Sequence, residues 1–555
     1  MIVKMKHLDL ACVKAERDAA VAALRSLGAV HIDLSRASGD AVAAVKGELS
    51  ETEKAVRLVL RARAETGAGE GAKARLSADE IAAKCDKADA IAADCDDLAR
   101  EIAKAAPYGD FDPALAKKVL DAGIDISSLA ELPRELPPKR LSEMEADLAC
   151  ARAERESLLR EVAAADVEAL SSRIAEISRR VAFESAKELM AEHGEVAVIS
   201  GWVPVTRLDA IEAEAKKMSW GYVLRDPADD EIPPTLIEPP KLFRPMKALF
   251  SGLGIAPAYT EADVSVPFMC YFSLFFAMLV GDGAYGALFL ALTLALRKKM
   301  PKSWFTLLVT FSSATVVWGL LSNTWFGAGI PWCAAWPTVK WLADPSYSNM
   351  MFLCFTIGAS HLILARVWNG ICRAPDSTAL AEFGWAGILL FMYFVTNSIV
   401  GIFSAIPKAM YWTFGVSLVL VFLFTVKPSQ LKTRGAELGM LPLNIMGTLG
   451  DIISYVRLFA VGLASVKVAE NFNSMATGLV NGEQSFVVTA LMSVAMVAIL
   501  LIGHALNIAM AALSVLVHAV RLNTLEFSNH KGVSWSGYAF DPFGKQETKE
   551  RNTEK

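Results

Sequence analysis

Long apolar runs in the second half of the chain constrain its fold more than any other feature. From Val264 onward the sequence contains stretches with few charges, such as PFMCYFSLFFAMLVG and FGWAGILLFMYFVTNSIVGIFSAI. These stretches reach or approach the ~20 apolar residues that a membrane-spanning helix needs. The sequence therefore predicts a polytopic α-helical membrane domain over residues 263–530.

The first part of the chain, to about Thr260, has a different composition, rich in Ala, Glu, Lys, Arg and Asp. Its opening segment, MIVKMKHLDLACVKAERDAAVAAL, becomes charged before the apolar core of a signal peptide can form. A Pro-rich and acidic stretch, RDPADDEIPPTLIEPPKLFRP, leads into the apolar part. We therefore expect a cytoplasmic unit over residues 1–240 and a linker over residues 241–262.

Charge and cysteine content argue against two kinds of site. The net charge of -5 is small for 555 residues and gives no reason to expect a nucleic-acid partner. The 8 cysteines are scattered, without a CxxC pair or a nearby histidine, so a metal site or a disulfide framework is not expected.

Two distant segments of the soluble half resemble halves of one small α+β lobe. The chain opens with a strand-like and then a helical stretch that ends at Gly28, and the strand-like AVHIDL follows. Far downstream, EVAVISGWVPV precedes another helical stretch and GYVLRD. We predict that residues 1–38 and 194–228 form one proximal lobe close to the membrane.

Between these segments, apolar residues recur at spacings of three and four, as in Val42, Val45 and Leu49. This periodicity predicts long amphipathic helices. We assign residues 40–105 and 140–192 to the two arms of a long antiparallel coiled coil. Charged helices of a solvated bundle would give the same pattern, but the distance in sequence between the paired strand segments favours a long arm.

A Gly-rich break, TGAGEGAKARL, interrupts the outgoing arm, and Ser77 with Glu80 forms a capping box that restarts it. The arms are predicted to meet at a distal lobe over residues 106–139. The fold class is therefore mainly α. A cytoplasmic α+β dumbbell, with two small lobes joined by the coiled coil, is expected to precede the membrane domain.

Hydropathy and charge together set the number of spans. Apolar stretches occur near residues 265–296, 304–325, 349–371, 383–404, 409–426, 438–475 and 486–527. Seven crossings from a cytoplasmic N-terminus would place the basic segments RKKMPK and VKPSQLKTRG outside, against the positive-inside rule.

A helical hairpin in the first stretch removes this contradiction. Within VGDGAYG, Gly281, Asp282 and Gly283 are suited to a turn at the far side of the membrane. Asp282 is interpreted as a turn and cap residue, with a proton carrier as the alternative. The chain then has about eight spans, and its C-terminal tail, residues 531–555, lies in the cytoplasm with the N-terminus.

The last two apolar stretches are overlong and carry polar groups that the other spans mostly avoid. Both exceed the ~20 residues of a perpendicular span, so strong tilt is expected. The polar residues of the first are Asp451, Ser454, Tyr455, Arg457, Lys467, Glu470, Asn471 and Asn473. Those of the second are His504, Asn507, His518, Arg521, Asn523 and Glu526.

Two arginines are the core of the functional argument. A cation at this depth costs at least ~2.5–3.5 kcal/mol on insertion scales. One arginine alone could extend its side chain to the interface. Arg457 and Arg521 lie on two different polar and overlong helices, which points instead to an ion pathway or a water-filled cavity.

These residues resemble a known family. SYVRLFAVGLA and GHALNIAMAALSVLVHAVRLNTLEF are similar to the last two helices of the membrane subunit of rotary ATPases, called subunit I in prokaryotic V-type and A-type ATP synthases and subunit a elsewhere. Weaker matches follow in the family's order: PYGDFDP, SGWVP, LFFAMLVGDGAYG and WGLLSNTWFG.

The resemblance implies a stator subunit that works against a rotating ring. Arg457 and Arg521 would form the ion-translocation barrier, facing a proteolipid (c/K) ring whose subunits each carry a buried carboxylate. The carboxylate partner of Arg457 is thus expected to come from another chain. An ion would enter one half-channel, travel with the ring and leave by another, which couples its transport to ATP synthesis or hydrolysis elsewhere.

The resemblance also suggests half-channel residues. The candidates are Asp451, Ser454, Tyr455, Glu470, Asn471, His504, Asn507, His518 and Glu526. Asp451 and Glu526 are expected toward the cytoplasmic end, and Glu470, Asn471 and His504 toward the outer side. A hydrogen bond between helices is the alternative for His504 and His518, and an interfacial cap for Glu470.

One departure from the family concerns the outer path. Eukaryotic relatives carry a glutamate ten residues before the second arginine, where this chain has Ala511. Glu470 or water would take that role, or the transported ion differs. We expect no cofactor bound by this chain, and the translocated ion is H⁺ or Na⁺.

The remaining implications concern partners and location. The resemblance implies peripheral-stalk subunits E and G/H on the N-terminal lobes and a central-stalk socket subunit (C/d) at the cytoplasmic face. It implies a multi-pass protein of a prokaryotic plasma membrane. Because no GxxxxGK[ST] loop is present, the chain is not expected to be an enzyme by itself, and ATP chemistry would belong to partner chains.

Two other classes of function are weighed against this one. A self-sufficient secondary transporter usually has internal repeats and broken helices around a midplane site. No repeat is visible here, and the polar residues crowd the last two helices. A purely structural membrane tether would explain the dumbbell but not the arginines within the membrane.

Overall fold

The described part of the chain is mainly α-helical, with a four-stranded sheet in its N-terminal half and several apolar helices that could span a membrane. The computed structural model describes residues 1–67, 74–106, 109–110, 112–122, 139–331, 333–342, 346–426, 436–479 and 486–544.

The sheet joins the start of the chain to segments far downstream. In chain order its strands are β1 (Met5–Val13), β2 (Ala191–His193), β3 (Val196–Pro204) and β4 (Gly221–Arg225). All pairings are antiparallel, and the order across the sheet is β2-β3-β1-β4. Leu8 and Leu10 of β1 point into the core, because alternate residues of a strand face the same side.

Seven α-helices are described in the N-terminal half of the chain. They are α1 (Arg17–Leu27), α2 (Asp40–Thr66), α3 (Ala78–Ala105), α4 (Pro113–Asp121), α5 (Leu141–Ala163), α6 (Val167–Glu188) and α7 (Leu208–Lys217). Helices α1 and α7 cover the sheet: Val21, Leu24, Ile211 and Ala215 share one hydrophobic core with Leu8.

The long helices between the sheet segments pack side by side. Helix α2 contacts α6 and α5, and α3 contacts α5. The capping box predicted at the start of α3 is confirmed: the Ser77 hydroxyl accepts a hydrogen bond from the Glu80 amide at 3.2 Å, and the Glu80 carboxylate accepts one from the Ser77 amide at 2.8 Å. Of the predicted Gly-rich break, residues 68–73 lie outside the described residues.

The returning arm is broken as well, which the sequence interpretation did not include. Helix α5 ends at Ala163, and Asp166 caps α6. Ala74 of the outgoing arm bridges to Ala165, and the Arg63 guanidinium donates to the carbonyl groups of Ala163 and Ala165 at 2.9 and 3.0 Å. The carbonyl groups that a helix end leaves unpaired are thus satisfied from the neighbouring arm.

Most of the predicted distal lobe, including residues 123–138, lies outside the described residues, and α4 is the helix described there. The dumbbell and its domain boundaries therefore stay a prediction.

The structure describes a series of helices in the second half of the chain, the first of which precedes the first apolar run. They are α8 (Met246–Leu253), α9 (Ser265–Val280), α10 (Gly283–Ala295), α11 (Lys302–Ser322), α12 (Pro337–Leu342), α13 (Ser348–Arg373), α14 (Thr378–Ile399), α15 (Lys408–Phe424), α16 (Ala436–Gly439), α17 (Leu441–Ile453), α18 (Val456–Gly478), α19 (Phe486–Ser514) and α20 (Ser528–Lys531). Two π-helical segments, Val515–Ala519 and Leu522–Phe527, lie between α19 and α20.

Among the described residues, five helical segments are long and apolar enough to cross a membrane, or six if the bent pair α9 and α10 counts as one span. That pair is bent by 118° at the predicted hairpin. Helix α15 is apolar but has only 17 residues. The count of eight spans stays a prediction, because α9, α10 and α15 are each short for a full crossing.

The last two segments are long, as the apolar stretches indicated. Leu441–Gly478 has 38 residues and Val487–Lys531 has 45. Helices α18 and α19 pack against each other. Few side chains of the second segment are fully buried within the described chain, and large hydrophobic ones such as Leu501, Ile502 and Leu513 are exposed there.

Residues 532–544, which we call the C-terminal strap, pack back onto the soluble half. The strap follows α20 and forms a parallel bridge between Ala539 and Thr235 of the linker region. The Phe543 amide donates to the Val30 carbonyl at 2.7 Å, and the Phe543 ring is buried in the core of the proximal lobe. The sequence assigned this stretch only to a tail; residues 545–555 lie outside the described residues.

Candidate functional site

The hairpin between α9 and α10 is built around Asp282. Gly281 ends α9 with φ of 70°, a value that glycine tolerates. The buried Asp282 carboxylate caps α10, accepting hydrogen bonds from the Ala284 amide at 2.8 Å and the Tyr285 amide at 3.4 Å. Its second oxygen accepts from the Gly327 amide at 2.9 Å. These contacts match the cap interpretation of Asp282, and Gly283 opens the returning helix.

Arg457 is the second residue of α18, which begins after a short break in the membrane segment Leu441–Gly478. Helix α17 ends at Ile453, and Ser454 and Tyr455 form a turn before α18. The Arg457 Nε donates to the carbonyl oxygen of Ser454 at 2.9 Å. One terminal nitrogen of the same guanidinium donates to Oε1 of Glu526. The arginine is thus held at both ends of its planar group.

Arg521 reaches the same carboxylate from its own helix. It precedes the π-helical segment Leu522–Phe527, in which Glu526 stands five positions later. Because a π-helix hydrogen-bonds residues five apart, this local geometry places Arg521 and Glu526 on one side. The distance between Arg521 Nε and Glu526 Oε1 is 3.6 Å.

Burial differs among the three charged side chains. Glu526 is 5% exposed, Arg457 is 21% exposed and Arg521 is 55% exposed. The second carboxylate oxygen of Glu526 is buried without a hydrogen-bond partner in the described chain. A buried carboxylate is tolerated only with a charged partner close by, and Arg457 is that partner.

Arg457 therefore has a carboxylate partner within its own chain. The sequence interpretation looked for this partner only in another chain. The resemblance placed Glu526 among the half-channel candidates, and that role stays a prediction. Spacing along a helix does not show which helices touch.

A second polar network lies beside the hairpin. The buried Tyr285 hydroxyl is 2.7 Å from His504 Nδ1 and accepts a hydrogen bond from the Asn507 amide nitrogen at 3.1 Å. Asn507 also exchanges hydrogen bonds with Ser465, whose hydroxyl donates to Asn507 Oδ1 at 3.0 Å. This network ties α19 to α10 and α18. Tyr285 was not among the sequence candidates, since nothing in its local pattern sets it apart.

The outer candidates on α18 are exposed. Glu470 accepts a hydrogen bond from Lys467 at 2.6 Å, one helical turn away, and Asn471 is exposed. Lys467 and Glu470 line a cavity of 320 Å³. The cavity's walls also include polar residues of neighbouring segments, namely Ser322, Thr324 and Tyr347.

Asp451 belongs to a third cluster, on the side of the strap. Its carboxylate is 2.9 Å from His530 Nε2, and His530 Nδ1 is 3.1 Å from Arg366 Nε. Arg366 in turn pairs with the buried Glu382 at 3.1 Å. These four residues and Arg373 line a cavity of 780 Å³. Sequence reasoning did not find His530 or Glu382, because their partners lie on other helices.

Tyr455 and His361 form a buried pair next to Arg457. The Tyr455 hydroxyl is 2.9 Å from His361 Nδ1, and both side chains are buried. The His361 ring stacks between Tyr271 and Phe527, with centroid distances of 4.0 and 4.4 Å. His361 Nε2 has no hydrogen-bond partner in the described residues.

His518 lies in the first π-helical segment, and its Nδ1 is buried without a partner in the described part of the chain. Its contacts do not include Arg521 or Glu526 as hydrogen-bond partners within the described residues. The structure therefore brings Arg457, Arg521 and Glu526 together. It places the Tyr285, Glu470 and Asp451 groups as separate polar sites.

Fold and site together define a class of protein. The chain is an α-helical membrane protein in which two arginines on separate long segments converge on one buried carboxylate. No protein-family model matches the chain.

Known proteins resemble the chain over most of its length. It is 28% identical to V-type ATP synthase subunit I 1 of Treponema pallidum, in an alignment that covers 98% of this chain and 100% of that protein. It is 31% identical to V-type ATP synthase subunit I of Borreliella burgdorferi over 68% of this chain and 65% of that protein, slightly under two thirds of its length. A-type ATP synthase subunit I of Pyrococcus horikoshii is 26% identical over 64% of this chain and 54% of that protein. These proteins are homologues of the chain, and they confirm its resemblance to subunit I of V-type and A-type ATP synthases.

Proposed function

We propose that this chain is the stator membrane subunit of a rotary V/A-type ATPase or ATP synthase. Its membrane half would form two half-channels against a rotating proteolipid ring. Passage of H⁺ or Na⁺ would be coupled there to ATP synthesis or hydrolysis in partner subunits. The relatives' names support membership of such a complex.

One observation carries the proposal: Arg457 and Arg521 converge at an uncovered apolar face. Large hydrophobic side chains are exposed along the last membrane segment, namely Leu501, Ile502, Leu506, Leu513, Leu516, Val517 and Leu525. Arg521 is half-exposed on the same segment. A ring of helices, each with a buried carboxylate, fits a face that is apolar except for one accessible cation.

Arginine suits a barrier between two half-channels. Its guanidinium stays charged in proteins, whereas a buried lysine can lose its proton. At an effective dielectric constant near 20, two opposite charges ~4 Å apart attract by ~4 kcal/mol. This attraction favours ionisation of an approaching ring carboxylate and still allows the ring to turn.

The two half-channels are assigned to different polar sites. We propose that the cavity lined by Asp451, Arg366 and Glu382 opens the cytoplasmic path. For the outer path we propose the cavity at Lys467 and Glu470, with the Tyr285 network beside it. A barrier of this kind requires the two paths to end on either side of the arginine pair.

The soluble half would hold the stator in place. We propose that the N-terminal lobes bind peripheral-stalk subunits E and G/H, and that a central-stalk socket subunit (C/d) meets the cytoplasmic face. The strap contacts the proximal lobe, which supports placing this lobe and residues 532–544 on the same side of the membrane. We propose that this side is the cytoplasm of a prokaryotic cell and that the membrane is the plasma membrane.

The test is ATP-driven ion transport by the purified complex in liposomes. Arg457→Ala is expected to abolish coupled transport while the complex still assembles. Arg297→Ala serves as the matched control. Arg297 follows the end of α10, and its guanidinium lies over the Phe305 ring of α11. Coupled transport at the wild-type rate in Arg457→Ala would refute the proposed function.

A further inference from the structure

Glu526 is placed differently from a residue that carries ions along a channel. Its Oε1 receives the hydrogen bond from Arg457 and lies 3.6 Å from Arg521 Nε. The side chain is 5% exposed, so it is not part of the accessible surface that would meet a partner. Both arginines approach the same oxygen, which makes Glu526 the shared counter-ion of the pair.

The two arginines are not equivalent in this arrangement. Arg457 is fixed by the Ser454 carbonyl and by Glu526, whereas Arg521 is the more exposed and is in looser contact with the carboxylate. Truncating one member of a buried ion pair leaves the other without compensation. Glu526 therefore sets both the orientation of Arg457 and the net charge of the site.

We propose that Glu526 is a positioning residue and internal counter-ion, against which an arriving ring carboxylate competes for the arginines; this inference rests on the proposed function. With Glu526 ionised, two guanidinium groups and one carboxylate leave a net charge of about +1 at the site. This charge holds the arriving carboxylate weakly enough for the transported ion to displace the arginine. The site is then about neutral while a ring carboxylate is engaged, and its charge returns to about +1 when that carboxylate leaves.

Other ionisable groups lie around this site, and they belong to the helical segments that pack against it. Tyr455 and Asp451 come from the segment that carries Arg457, and His518 from the segment that carries Arg521. His361 is joined to Tyr455 on one side and stacks on Phe527, next to Glu526, on the other. Among the described residues, Glu526 is the carboxylate that pairs with Arg457.

Loss of the Glu526 charge would change the ion concentration at which the ring carboxylate is loaded. Without the Glu526 charge, a ring carboxylate would face a net charge of about +2. Opposite charge within a few ångströms favours the ionised form of a carboxylate and shifts its titration by one unit or more. Loading by H⁺ or Na⁺ would then need a higher ion concentration.

The experiment measures ATP-driven transport by the reconstituted complex over a range of concentrations of the transported ion. For Glu526→Gln the half-saturating concentration is expected to rise about tenfold, equal to an acid shift of about one pH unit if the ion is H⁺. The maximal rate is expected to recover at high ion concentration. Glu526→Asp keeps the charge and is expected to keep the wild-type curve.

The matched control is Glu231→Gln, which neutralises a carboxylate paired with Arg225 in the soluble half. An unmoved half-saturating concentration in Glu526→Gln, with or without a lower rate, would overturn the counter-ion proposal. Failure of the Gln variant to assemble while the Asp variant is normal would also overturn it, because Glu526 would then be a folding requirement. The proposed function fails separately, through coupled transport in Arg457→Ala.

Discussion

Arg457 donates a hydrogen bond to Glu526, a carboxylate 69 positions later on the other long membrane segment. The pair joins α18 to the π-helical segment Leu522–Phe527, which follows α19. Both residues lie deep in a membrane protein, where neither charge is favourable alone. Each charge therefore stabilises the other, and the ion pair contributes to the stability of the fold as well as to the proposed function.

We expect the Arg457–Glu526 pair to show strong coupling in a double-mutant cycle. Arg457→Gln alone leaves the buried carboxylate with only its looser contact to Arg521, at a cost of up to about 3–5 kcal/mol. Neutralising both residues is expected to cost clearly less than the sum of the single changes. The measurement is the unfolding free energy of the purified chain in detergent micelles.

The control cycle uses Lys467→Gln and Glu470→Gln. That pair is exposed on α18, and such pairs contribute about 0–1 kcal/mol. Additive effects at Arg457 and Glu526, as small as those of the control pair, would contradict a buried ion pair.

Tyr285→Phe is expected to destabilise the hairpin and its contact with α19. The substitution removes the hydroxyl that meets His504 and Asn507 and leaves buried polar atoms without a partner, at a cost of about 1–3 kcal/mol. Thermal unfolding in micelles measures the effect. Tyr411→Phe, at an exposed position of α15, should unfold like the wild type, and an equal loss in both variants would argue against the network.

The strap prediction concerns Phe543. Its ring is 5% exposed in the core of the proximal lobe, so Phe543→Ala is expected to cost about 3–5 kcal/mol locally. Hydrogen exchange should then speed up around Val30 and at the Thr235–Ala539 bridge. Ser536→Ala, an exposed change in the same strap, is the control. Unchanged protection in the Phe543 variant would show that the strap does not depend on this anchor.

Local chemistry explains what could be predicted from the sequence. The capping box at Ser77 and Glu80 and the helix cap at Asp282 depend on neighbouring residues, and the contacts of both caps are present. Apolar runs likewise predict helices, and those runs contain the apolar helices of the structure. The count of eight spans stays a prediction, since five of the described helical segments are long and apolar enough to cross a membrane, or six with the bent pair α9 and α10.

Long-range contacts explain what could not be predicted. Periodicity places Arg457 and Arg521 on helices but does not show that Glu526 joins them, since the π-helical turns arise from packing. His530 meets Asp451 only because α20 returns to the end of α17. The position of the strap depends in the same way on Phe543, an aromatic residue in a short segment that carries no periodic signal.

Two glycines of the penultimate membrane segment allow a matched test of close packing. A Cβ atom on Gly462 would lie 2.5 Å from the carbonyl oxygen of Met278, at the end of α9, whereas one on Gly450 would meet nothing within 4 Å. Alanine favours a helix over glycine by ~1 kcal/mol, so Gly450→Ala is expected to stabilise the purified chain slightly. Gly462→Ala is expected to destabilise it by about 1–3 kcal/mol, because the backbone of α9 cannot move aside like a flexible side chain.

Thermal unfolding of the two variants in micelles compares them directly. Equal stabilisation by both would mean that α18 and the hairpin do not approach as closely as this contact requires. Opposite signs would tie the hairpin to the helix that carries Arg457, and so to the position of the arginine pair.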